Sequence, residues 1–238
     1  MADTAQSVAE KVDRLEIVDR SIDYHGGERF ENSETQLEMC SGSGCYRISV
    51  RYEQGIFIYD VTGQVRGRER RVRVTNDTTE MWTDGEATEI AEDLLSSIND
   101  WAMARIYFCF LPFRLNDDSV LKQNEGLEVW GDRQFHRVKV TFRQGSSTDA
   151  ADEFLYWFDP ETARLEQYAY SFKGKPGGLR FRRVSNFRRI GDILFFDQEN
   201  LGMEGNDLSV DQIDPDFVRV LDPISIVELR GITVESLD

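Results

Sequence analysis

DEFLYWFDPETARLEQYAYSF, residues 152 to 172, organises the reading of the whole chain. Phe154, Tyr156 and Phe158 alternate in its first run; in its second, Leu165, Gln167 and Ala169 alternate against Tyr168, Tyr170 and Phe172. A period of two is that of a strand, and Asp159-Pro160 presets a turn because proline fixes φ and the aspartate bonds the backbone beyond it. The stretch therefore predicts an antiparallel hairpin. Aromatic side chains on both faces place it mid-sheet, with a further layer on at least one side.

Working outward, the same period recurs on either side. From about Gln36 to Trp82, Ile48, Val50 and Tyr52 alternate with Arg47, Ser49 and Arg51, and turn signals fall at 41–44, 54–55, 62–63 and 76–77. This predicts a meander of four or five strands. Further strands are predicted at 127–130, 134–142, 179–187, 193–197, 217–220 and 226–234, with an acidic, irregular surface loop over 202–216.

Two segments change to helical spacing. Val8, Val12, Leu15, Ile17, Val18 and Ile22 recur at three- and four-residue steps, predicting a helix over 3–24 that Gly26-Gly27 stops. Over 87–113 a helical lid is predicted, with an apolar stripe from Ile90 through Leu94, Ile98, Trp101 and Ala102 to Ile106. From Tyr107 to Phe113 the segment is apolar on every side until Pro112 ends the helical run. Such an element is either deeply buried or touches something the protein does not supply.

The 238 residues lack an evident linker and predict one domain over 1–238. A formal net charge of −16 excludes free nucleic acid and anionic membrane surfaces as good partners. The cations comprise 23 Arg and 5 Lys, a balance compatible with a salt-rich habitat and equally with ordinary solubility. No apolar run reaches the roughly 20 residues of a membrane span. The arginines at 66, 68, 70, 71 and 73 read as a solvated strand face pairing with carboxylates.

Chemistry-bearing motifs are scarce. There is no nucleophile elbow, zinc-protease helix, phosphate loop or dinucleotide fingerprint, so no catalytic residue, metal ligand or cofactor is assigned. His136 lies within a strand. His25, beside two glycines, reads as a capping residue or as a group at a ligand rim. Asp207, Asp211, Asp214 and Asp216 fit no calcium-loop spacing. Cys40 and Cys45 bracket a short turn, where a cross-strand disulfide and two free thiols both remain open. Cys109 reads as plain core.

Four stretches carry a resemblance. YWFDPETARLEQYAY at 156–170, IDYHGGERFENSE at 22–34, IYFCFLPFRLND at 106–117 and GLRFRRVSNFRRIGDILFFD at 178–197 resemble an uncharacterised, exported bacterial branch of the LolA/LolB-like lipoprotein-sorting superfamily. That resemblance implies an α+β, mostly β fold: one curved antiparallel sheet, an incomplete barrel, with helices over its concave side. It also implies a periplasmic or cell-envelope location, and an apolar ligand or acyl chain held without catalysis. The latching arginine of the sorting proteins has no certain counterpart, although Arg105 and Arg114 are available. The aromatic residues predicted to line the cavity are Phe108, Phe110, Phe113, Trp157, Tyr168 and Tyr170, with His25 at its rim. A hydrolase or isomerase using His25 with a carboxylate, and a protein with a filled core, are the competing readings; an envelope protein contacting the acidic loop is a further candidate partner.

Overall fold

A computed structural model describes residues 15–42, 44–143, 152–174 and 176–237. Six strands precede the long helix: β1 (Ser33–Ser41), β2 (Gly44–Glu53), β3 (Ile56–Val65), β4 (Arg68–Thr75), β5 (Thr79–Thr83) and β6 (Glu86–Thr88). Seven follow it: β7 (Val120–Trp130), β8 (Arg133–Phe142), β9 (Glu153–Phe158), β10 (Leu165–Phe172), β11 (Gly178–Ile190), β12 (Ile193–Glu204) and β13 (Asp222–Ser236). The helices are α1 (Glu16–His25), α2 (Glu92–Cys109) and α3 (Pro215–Val218).

All thirteen strands form one antiparallel sheet in the order β6-β5-β4-β3-β2-β1-β13-β12-β11-β10-β9-β8-β7. No pairing joins β6 to β7 among the described residues, so the sheet is not closed. Each half is a meander of chain neighbours, and β13 returns to stitch the halves together. It runs beside β1 from Ser33↔Ser236 to Cys40↔Glu228, and beside β12 from Gln198↔Val227 to Gly202↔Asp222.

The central hairpin forms as its alternation predicts. β9 and β10 pair through Tyr156↔Tyr168 and Phe154↔Tyr170, with β8 and β11 outside them. Asp159 closes the turn: one of its oxygens accepts from the backbone N–H of Glu161 (3.1 Å) and Thr162 (2.8 Å) and from the Thr162 hydroxyl (2.9 Å). Cys40 and Cys45 face each other across the β1–β2 hairpin and are joined by a disulfide.

Several expected boundaries are corrected. Helix α1 spans Glu16–His25; residues 3–14 of the helix expected over 3–24 lie outside the described residues. Helix α2 ends at Cys109, and a 3₁₀ turn at Phe113–Asn116 follows it, so the lid is not one helix over 87–113. The expected strand over 217–220 is a short helix instead. Asp214 caps it by accepting from the N–H of Asp216 (2.9 Å) and Phe217 (2.7 Å), and Pro215 occupies its first position. The stretch 202–216 is not an irregular acidic loop throughout. Its start belongs to β12, and Ser209 forms a capping box with Gln212 around a 3₁₀ turn. Buried Val210, Ile213, Val218 and Leu221 explain the difference, because they fold this segment onto the sheet.

Three apolar clusters result. On the inner face, where α1 and α2 lie, Ile98, Ala102 and Ile106 of α2 pack on Ile48, Val50, Val61, Val72 and Val74 of β2–β4. Beside them Ile17, Val18, Leu111 and Leu115 pack on Val138, Val140, Phe154, Tyr156 and Tyr168 of β8–β10. On the outer face Phe135, Leu155, Trp157, Ala169 and Phe181 meet the cover from 210–221. Full burial of each large apolar side chain contributes roughly 1.5–3 kcal/mol. The outer face of β2–β4 instead carries ion pairs, Asp60 with Arg71 (2.7 Å) and Arg73 (3.0 Å), and Arg47 with Glu69 (2.8 Å).

Candidate functional site

Helix α2 presents two stripes. At 100° per residue, Ile98, Ala102, Ile106 and Cys109 point one way, and Asp100, Met103, Ala104, Tyr107 and Phe108 point nearly the opposite way. The first stripe is buried on β2–β4. The second faces a cleft of about 510 Å³ between the helix and strands β7–β11. This is why the sequence at the helix end reads as apolar all round: one side serves the core and the other serves the cleft.

The cleft floor comes from alternate positions of the central strands. Phe142, Phe154, Tyr170 and Phe172 line it opposite Tyr107 and Phe108. Phe108 stacks on Tyr170 at 5.3 Å, Tyr170 on Phe154 at 5.2 Å, and Phe142 meets Phe154 edge-on at 5.6 Å. Deeper, the Tyr107 and Tyr156 hydroxyls share a 2.6 Å hydrogen bond that ties the helix to the hairpin. Burial raises the pKa of both phenols, so they stay neutral across the physiological range. Six of the sixteen lining side chains are thus uncharged rings.

Polar groups gather at the rim. Arg114 and Asp117 form an ion pair of 2.6 Å, and Asp100 also lines the cleft. Lys173 and Arg180 line the cleft where β10 ends and β11 begins, and Asp152, level with Phe172 across the β9–β10 pair, lines it there too. Behind Phe108, buried Arg182 lies 5.4 Å from the centre of its ring and donates to the Tyr170 hydroxyl at 3.4 Å.

Of the side chains predicted from sequence, Phe108 and Tyr170 reach the cleft. Tyr168 lies one layer deeper, fully buried, its hydroxyl donating to Gln198 at 2.7 Å. Phe110 is buried beside Phe30 and Phe195, and Phe113 stacks on Phe30 at 4.3 Å, so both belong to the packing below β1–β3 and do not line the cleft. Trp157 points to the outer face, against Phe181 and Trp130. Its parity explains this: it falls between Tyr156 and Phe158, and neighbouring strand residues face opposite ways. Tyr107, Phe142, Phe154 and Phe172 were missed, although the same parity and the helical spacing from Met103 to Phe108 mark them.

His25 does not stand at the rim. It is buried on α1, its Nδ1 2.7 Å from the Ser21 carbonyl and its ring edge-on to Phe196 at 6.2 Å. Burial lowers its pKa to about 4, so the imidazole is neutral at pH 7. Among the described residues no carboxylate bonds to it, and no group of three His, Cys, Asp or Glu side chains is arranged to hold a metal ion. The lining the cleft offers is chiefly apolar and aromatic, which suits apolar matter.

An open antiparallel sheet with a helix laid across one face, and an aromatic cleft between them, defines a protein of LolA-like fold. Within that class the chain belongs to the family of unknown function DUF6503, whose model matches residues 4–214. No curated protein matches it in sequence. In structure it is similar to a LolA superfamily protein from Nitrosomonas europaea, with a TM-score of 0.54 at 11% identity over 94% of each chain. A DUF1329 family protein from Desulfovibrio piger aligns with a TM-score of 0.46 at 12% identity, over 92% of this chain and 91% of that one. An outer membrane lipoprotein-sorting protein domain from Vibrio parahaemolyticus aligns with a TM-score of 0.48 at 9% identity, over 86% of this chain and 97% of that one. No helix among the described residues is long and apolar enough to cross a membrane.

Proposed function

We propose that this chain works as one LolA-like domain that holds an acyl chain or similar apolar ligand, without catalysis, in the cleft between α2 and strands β7–β11. The observation that carries the reading is the cleft of about 510 Å³ floored by stacked aromatic rings. Its size lies within the roughly 300–1,000 Å³ range of small-molecule sites. Each buried methylene contributes about 0.8 kcal/mol, so about ten of them supply ~8 kcal/mol before ordering costs, the scale of a micromolar complex. Rigid rings suit such a guest because they need no reorganisation to receive it.

The Cys40–Cys45 disulfide supports an oxidising compartment, in keeping with the cell envelope. Handling of envelope lipid or lipoprotein acyl chains is the role that joins this location to the cleft. The enzymatic alternative loses its support because buried His25 does not line the cleft and bonds to no carboxylate among the described residues.

Titration with a fluorescent fatty-acid analogue, competed by the unlabelled acid, tests the reading. Saturable one-to-one binding is the expected result. Chains of every length failing to bind, together with native mass spectra showing only the bare protein after purification from envelope fractions, would overturn it.

A further inference from the structure

The buried charged side chains separate into two kinds. Asp60 meets Arg71 and Arg73, Glu166 meets Arg133 and Arg164, and Asp197 meets Arg188. Arg182, 9% exposed, meets no carboxylate among the described residues, and its Nε makes no hydrogen bond. A guanidinium keeps its charge at any physiological pH, and a buried charge is ordinarily paired. This one has only the face of Phe108 and the Tyr170 hydroxyl, both belonging to cleft-lining residues.

Two residues earlier on the same face of β11, Arg180 enters the cleft wall itself. Its Nη1 donates to the carbonyls of Leu179 (3.0 Å) and Met203 (3.4 Å), and its guanidinium lies 5.0 Å from the Phe172 ring centre. Its Nε and Nη2 make no hydrogen bond, and no carboxylate pairs with it, among the described residues. Two glycines clear its path: a Cβ at Gly202 would fall 2.7 Å from Arg180 Cδ, and one at Gly178 would fall 3.1 Å from its Nη1. Lys173, also lining this end, donates to the carbonyls of Asn206 (2.5 Å) and Leu208 (3.3 Å). Three cations therefore gather with one carboxylate, Asp152, at one end of an aromatic cleft, a local excess of positive charge in a chain of net charge −16. Screening over about 8–10 Å leaves the distant negative surface little say at this spot.

We propose that the ligand is an amphiphile with an anionic head, its chain on the aromatic floor and its carboxylate or phosphate against Arg180, with Arg182 adding charge from behind. Arginine's planar fork suits either oxyanion. The inference rests on reading the cleft as an acyl-chain site, and the two can fail separately.

Calorimetric titration of the whole protein with dodecanoate, dodecyl phosphate, methyl dodecanoate and inorganic phosphate tests it. The expected result is that at least one anionic amphiphile binds about 30-fold tighter than the neutral ester, as for a hydrogen bond to a charged group; the tighter of the two names the head. Arg180→Gln should reduce that ratio to about threefold or less while leaving the ester's affinity unchanged. Arg182→Met should also shrink the ratio, with a melting temperature no lower than the parent's, since it removes an uncompensated charge. Equal binding of ester and acid by the parent overturns the anionic head and leaves the acyl-chain site standing. Failure of all four probes overturns both. Inorganic phosphate competing as well as dodecyl phosphate, with the ester not binding, reduces the site to a plain anion site and overturns the amphiphile. A lower melting temperature of the Arg182→Met variant with an unchanged ratio makes Arg182 purely structural.

Discussion

On the β1–β6 side of β13, α2 fills the inner face with Ile98, Ala102 and Ile106, and the outer face is wet, carrying Asp60, Arg71 and Arg73. On the β7–β12 side the arrangement is reversed: the inner face yields space to the cleft, and residues 210–221 seal the outer face over Trp157 and Phe181. A sheet needs one dry face to hold its strands in register. The half with the incompletely filled inner face obtains that dryness from behind, so the cleft remains open without loosening the strands that line it.

Substitutions that attack the outer seal test this most severely. Trp157→Ala should cost about 4 kcal/mol in denaturant unfolding, because a fully buried indole leaves a cavity behind. A loss below about 1 kcal/mol would mean that the outer layer does not brace the cleft half.

Acid offers the next largest effect, acting on the inner packing of α1. The His25 pKa is lowered from 6.5 to about 4 by burial, so between those values the unfolded chain binds a proton that the folded one excludes. Stability from this group is complete above pH 6.5 and falls as the pH drops towards about 4, by a total of about 3 kcal/mol. The difference in stability between the parent and His25→Leu, followed against pH, should show that slope. A difference independent of pH would remove the imidazole as its cause.

Filling the cleft should separate binding from folding. Ala104 is exposed on the cleft stripe of α2, so Ala104→Trp is expected to weaken a fatty-acid probe about tenfold or more, or ~1.4 kcal/mol, while changing unfolding by no more than about 0.5 kcal/mol. A probe affinity unchanged by that ring would place the ligand elsewhere. Smallest of all, Asp60→Asn on the wet face should cost about 1 kcal/mol, since its arginines remain partly hydrated. A cost near that of Trp157→Ala would erase the contrast between the two outer faces.

The Asp-Pro turn, the alternating runs around it and the helical spacing before Cys109 are local signals, and the chain states them outright. Phe108 and Tyr170, which lie where those signals are strongest, face the cleft. Aromatic character does not say which face of the sheet Trp157 takes, whereas strand parity does, and an apolar helix end does not say which neighbours Phe110 and Phe113 meet. Over 202–216 frequent charges mask the few residues that anchor the segment, Val210 and Ile213, which follow no strand or helix period.

By itself, then, the sequence determined the periods: which residues form strands, where the helix runs, and that its end is greasy on all sides. It could do so because period and turn chemistry are properties of a few consecutive residues. Only the tertiary structure decided that β13 returns between β1 and β12, that one stripe of α2 faces a cleft while the other is packed, and that Arg182 is buried with no carboxylate partner among the described residues. Those outcomes depend on contacts between residues far apart in the chain, where the burial of one group is set by the shape of all the others.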